Sequence, residues 1–136
     1  MTTFTAALRN FENKTVDRMV QVLKASLQDT MRIAQTPVAQ GGPMPVDLSF
    51  LRNSLVSQLD GTAVARGQDS YTLAIAGLEV GQEIRFSWVA VYSRRVHYGF
   101  KGTDSLGRTY NQDGQPFRDF AAAQWQRMVA ANARRL

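Results

Sequence analysis

Along the first 35 residues, apolar side chains recur at Phe4, Leu8, Phe11, Val16, Met19, Val22, Leu23, Leu27 and Ile33. The three- and four-residue steps put them on one stripe of an α-helix. Arg9, Lys14, Arg18, Lys24 and Gln28 fill other positions, and neither proline nor glycine interrupts. The pattern predicts one amphipathic helix from residue 4 to 33, about 45 Å long. That is long for a small domain, so part of the stripe is expected to project beyond its own core and meet a neighbour.

"TPVAQGGPMPV" ends the helix, because its prolines and glycines cannot continue one. The segment 36–54 is therefore read as a Pro/Gly loop and a short helical turn reaching Asn53, with Asp47 or Ser49 as its cap. From 55 to 90 the expectation is antiparallel strands. "SLVSQLDG" reads as a strand up to Gly61. In "YTLAIAG", Tyr71, Leu73 and Ile75 alternate with smaller or polar residues, and in "EIRFSWV", Ile84, Phe86 and Trp88 do the same. A period of two marks a half-buried strand, and the short "GLEVGQ" between them predicts a hairpin. Residues 91–115 read as a basic, aromatic segment opening into a long loop. Residues 116–136 read as a helix with Pro116 in its first turn and a buried stripe of Phe117, Phe120, Ala121, Trp125, Met128 and Val129. The expected fold is α+β, one domain over 1–136: a long N-terminal helix, a small antiparallel β-sheet and a C-terminal helix packed on the sheet.

Composition narrows the chemistry. At 136 residues the chain fits one domain with a core of its own. It has no cysteine, which excludes disulfides, thiolate catalysis and zinc–sulfur sites. No secretory leader or membrane-length apolar run is present, so the chain is expected to remain soluble where it is made. Sixteen basic against eleven acidic residues leave a net charge of +5, compatible with nearby nucleic acid but equally with acidic protein partners.

Three motifs invite functional readings. His97, the only histidine, has no carboxylate between residues 84 and 103 to orient it as a base, so no catalytic residue is assigned. "GTDSLGRT" approaches a phosphate-binding loop, but Arg108 stands where lysine is needed and a turn follows where a helix must open. "TYNQDG" matches part of a calcium loop at Asn111, Asp113 and Gly114, but Thr109 and Phe120 occupy ligand positions that need carboxylates. No cofactor or metal is expected. The cluster Arg85, Arg94, Arg95, His97 and Lys101, flanked by Tyr92 and Tyr98, reads instead as a docking surface for an acidic partner or for passing DNA.

Three segments, "PMPVDLSFLRNSL", "VYSRRVHYGF" and "GQPFRDFAAAQWQRMV", together resemble the neck, or tail-completion, proteins of long-tailed bacteriophages and prophages. That family shows Pro-Val-Asp-x-Gly-x-Leu-Arg-x-Ser, then Tyr-Ala-x-x-x-(Glu/His)-Tyr-Gly, then a closing amphipathic helix. Pro45, Val46, Asp47, Leu51, Arg52 and Ser54 carry the first motif, and Tyr92, His97, Tyr98 and Gly99 the second. The Phe117–Val129 stripe carries the third. Ser49 replaces the family's glycine, and Ser93 replaces its alanine. The resemblance implies a non-catalytic virion protein that forms a ring, usually a hexamer, at the head–tail junction after assembly in the host cytoplasm. Its partners would be further copies of itself, a head-side connector or stopper protein, and a tail tube or tail terminator protein. DNA would pass through its lumen unread, and no membrane would be involved. Contact residues expected on this reading are Asp47, Leu51, Arg52, Arg94, Arg95, His97, Tyr98, Gly99, Lys101 and Arg108. A tail terminator capping the tube, a small basic nucleic-acid-binding module and, remotely, a hydrolase using His97 are the alternatives.

Overall fold

The computed structural model describes residues 3–45, 50–91, 93–103 and 105–136. The first helix, α1, runs from Phe4 to Gln35, with the Thr3 hydroxyl accepting the Ala6 N–H at its start. It ends before Pro37, whose ring disfavours helical geometry at Thr36. The loop that follows is ordered by a single 3₁₀ turn, Val38–Gln40, and a bridge between Pro37 and Met44. A one-turn helix, α2, covers Phe50–Asn53.

Three strands form an antiparallel sheet in the order β2-β1-β3: β1 is Leu55–Leu59, β2 Thr62–Arg66 and β3 Ile84–Trp88. The turn joining β1 to β2 is Asp60–Gly61, both at positive φ (50° and 80°). That is the two-residue geometry whose twist suits a hairpin. Central β1 buries Leu55, Val56 and Ser57, whereas β2 is mostly exposed. The β2 strand falls in a stretch where the sequence pattern named none.

Residues Ser70–Ala76 are a helix, α3, and not the strand expected of "YTLAIAG". Tyr71, Ala74, Ile75 and Leu78 are buried while Leu73 is exposed. That spacing is one helical face, so the alternation of Tyr71, Leu73 and Ile75 was coincidental. The predicted hairpin is accordingly absent, and β3 pairs with β1 instead. The core packs Met31 against Leu55, Tyr71 and Ile75, with Leu27, Ile84, Phe86 and Trp88 around them.

Residues expected to be a long loop contain a helix, α4 (Ser93–Tyr98), and a separate two-stranded hairpin, β4 (Gly99–Thr103) with β5 (Thr109–Asp113). The C-terminal helix is bent into α5 (Phe117–Ala122) and α6 (Trp125–Arg135). It packs on α1 rather than on the sheet, which it reaches through Phe117 against Trp88. Asn132, buried, donates to Ser26 Oγ and Asp29 Oδ2, and Arg18 donates to the Ala133 carbonyl. Within the predicted stripe Phe117 and Ala121 are buried and Trp125, Met128 and Val129 are half-buried, but Phe120 is exposed. Among the described residues no helix is long and apolar enough to cross a membrane.

Candidate docking site at the base of the hairpin

The three segments of the family resemblance meet in space. Met44, Leu51 and Phe117 form a buried cluster, with Trp88, Ala90 and Val96 packed against it. Trp88 belongs to both core clusters and joins this one to the sheet. Its indole Nε1 donates to Gln35 Oε1 at 2.9 Å, and Gln35 Nε2 donates to the carbonyls of Arg52 and Gln68. Arg52 Nε returns a hydrogen bond to the Gln35 carbonyl. Both N–H groups and the oxygen of the buried amide are thus engaged in pinning α2 and β3 to the end of α1.

From this cluster α4 carries His97 inward. The ring is 5% exposed and makes edge contacts with Tyr98 and Phe117, at centroid distances of 4.4 and 5.4 Å. Asp119 Oδ1 lies 3.5 Å from Nε2, near enough for attraction but outside hydrogen-bond geometry. Both ring nitrogens are shielded from solvent without a hydrogen-bond partner. Burial pushes the His97 pKa below 6.5; Asp119 pulls it back up and Arg118 adds to the lowering. Burial thus favours the neutral ring.

A shallow cleft of about 390 Å³ opens here, lined by Phe86, Trp88, Arg94, His97, Tyr98 and Arg118, among others. The meeting of His97 with a carboxylate invites comparison with a catalytic dyad. Ser93, one turn before His97, donates instead to the Trp88 carbonyl, and no hydroxyl engages the ring. A nucleophile–base pair needs that hydrogen bond, and both ring nitrogens are shielded from solvent. The described residues also contain no group of His, Asp or Glu that could hold a metal ion.

Gly99 launches the hairpin at φ 84°, a conformation that suits glycine. At the other end, a Cβ on Gly114 would lie 2.7 Å from the His97 carbonyl oxygen, so the two legs of the hairpin meet too closely for a side chain. The arm carries exposed Lys101 on β4 and exposed Arg108 in the connecting turn. Arg94 and Arg95 lie exposed on α4, and Tyr98 Oη accepts from Arg118 Nη2 at 2.9 Å. The structure therefore gathers Arg94, Arg95, His97, Tyr98, Gly99 and Lys101 in one region. Arg85 pairs on β3 with Glu83. Leu51 is core, and Arg52 is half-buried in the Gln35 network. Val46, Asp47, Ser49 and Tyr92 lie outside the described residues. Arg118 and Asp119 escaped the sequence reading, since nothing in the chain's order announces that α5 folds back onto His97.

No family model, no curated relative and no solved structure matches this chain.

Proposed function

We propose that the protein is a structural subunit of a phage or prophage neck, part of a ring that joins head to tail and lets DNA pass. The observation that supports this reading most is the β4–β5 arm. It is a two-stranded hairpin outside the main sheet, rooted in a buried aromatic cluster and carrying cationic Lys101 and Arg108. A two-stranded hairpin is marginal by itself in water, and its unpaired edges are a template for another chain. Such an arm gains most when a neighbour covers it. The cations of α4 at its root suit an acidic surface, and contacts of this head-to-tail kind close into a ring when the rotation permits.

The reading implies no catalysis: the subunit acts through shape and charge complementarity with its copies and with the proteins above and below. Replacing both Arg94 and Arg95 with Glu, in the phage or prophage genome that carries the gene, tests it. Filled heads and finished tails should accumulate unjoined, while the purified variant keeps its circular dichroism spectrum. Normal yields of infectious particles would contradict the assignment. Retardation of DNA by the wild-type protein, falling steeply with salt, would favour the nucleic-acid-binding alternative.

A further inference from the structure

The exposed large apolar residues of α1 are Phe4, Leu8, Phe11, Val16, Met19 and Leu23. The steps between them are four, three, five, three and four residues, which read the same in both directions. Two helices laid antiparallel in register therefore bring Phe4 opposite Leu23, Leu8 opposite Met19 and Phe11 opposite Val16, each pairing occurring twice. Every layer sets a more exposed side chain against a less exposed one: 78% against 39%, 66% against 50%, and 71% against 37%.

We infer that α1 is a self-complementary surface, through which two copies of the chain dock antiparallel about a two-fold axis. An isologous contact needs one patch that matches itself on reversal, and the spacing supplies that property. The central step of five residues exceeds one turn and carries the stripe round the helix. The two helices thus cross at an angle rather than coil along their length. Glu12 and Thr15 fall inside the stripe near the axis and face each other across it. A polar layer of this kind fixes register and orientation.

The second half of the stripe runs beside α6, where Met19, Val22 and Leu23 join Trp125, Val129 and Ala133 around a mainly apolar groove of about 490 Å³. In the antiparallel register Phe4 of the second copy arrives there, so the most exposed residue of the stripe meets the groove nearest Leu23. The six side chains offer on the order of 600 Å² of apolar surface per copy, against about 800 Å² per partner in a stable interface. The neighbouring polar residues and the groove wall supply the remainder. This inference does not rest on the neck reading, since a two-fold pair and a ring are different symmetries.

Light scattering should give a mass twice 15.1 kDa at tens of micromolar, and Phe11→Glu should weaken the pair at least about a hundredfold without loss of helix signal. Register is read by the double variant Phe11→Cys/Val16→Cys. The chain has no other cysteine, and two positions five residues apart on one helix are too far apart to bond within a chain. Oxidation should give a covalent dimer from the double variant and little from either single variant. Equal cross-linking of the singles would overturn the register. A wild-type monomer at high micromolar, whether inert or adsorbing to anionic vesicles through α1, would overturn the pairing. So would a hexamer whose double variant fails to cross-link, which would leave the ring standing.

Discussion

The two halves of α1 share one helix and one apolar periodicity, yet they are treated differently by the fold. From Ser26 to Gln35 the stripe is covered by β1, α3 and the C-terminal helix, and Ser26, Met31, Ala34 and Gln35 are buried. From Phe4 to Leu23, Phe4, Leu8, Phe11, Val16, Met19 and Leu23 remain open to solvent, while Val20 and Val22 are half-buried. Periodicity thus states that a face is to be covered, not by what. In the first half the described residues cover only the end nearest α6, where Met19, Val22 and Leu23 meet Trp125, Val129 and Ala133, and contiguous apolar surface of the extent left open marks an interaction site.

Substitution separates the halves most sharply. Met31→Ala is expected to destabilise the fold by about 3 kcal/mol through lost burial and a residual cavity. Phe11→Ala removes a larger side chain from the same helix but should stay within about 0.5 kcal/mol when the monomer is measured at high dilution. Urea unfolding followed by circular dichroism checks both, and equal losses would mean that the chain covers Phe11 itself. Gln35→Ala should cost about 2 kcal/mol, because the Trp88 indole and the carbonyls of Arg52 and Gln68 lose their partner together. An unchanged unfolding midpoint would remove Gln35 from its role as the pin.

The hairpin gives a smaller and more local effect. Gly114→Ala should displace β4 and β5 at about 1 kcal/mol, with amide chemical shifts moving in the arm and at His97 while those of residues 26–35 stay in place. Smaller still is the acid response. Because burial holds the folded His97 pKa below 6.5, the unfolded chain binds the proton first as pH falls. The stabilisation from neutral His97 is complete above about 6.5 and is lost as pH drops from there toward the folded value. His97→Phe should flatten that part of the stability profile. Asp119→Asn should steepen it, since the carboxylate favours the protonated ring. Identical profiles for all three proteins would contradict the buried neutral imidazole.

Much of this architecture was legible in the chain. The stripe of α1, the alternation of β3 and the Pro37 stop are strong local signals, and each produced its element. Alternation failed at Tyr71–Ala76 because a seven-residue window holds both periods; extending it to Leu78 favours the helix. The β2 strand was missed because its side chains are small or exposed, although Asp60–Gly61 is a hairpin turn signal in the sequence itself. On the β4–β5 arm Lys101, Thr103, Thr109 and Asp113 are polar and exposed, so periodicity at these positions had no core face to report. At the candidate site, the exposure of Arg94, Arg95 and Lys101 followed from charge. Burial of Leu51 and the approach of Asp119 to His97 did not, for both depend on which distant segments meet.

Hydrogen exchange along α1, measured from sub-micromolar to high-micromolar protein, tests the central claim directly. Residues 26–35 should be protected equally at every concentration, because the chain's own core holds them. Residues 4–16, which precede the stretch where Met19, Val22 and Leu23 meet α6, should exchange rapidly when dilute and gain protection as copies meet. Protection of both halves that ignores concentration would contradict the claim that the exposed stripe is covered only by another molecule.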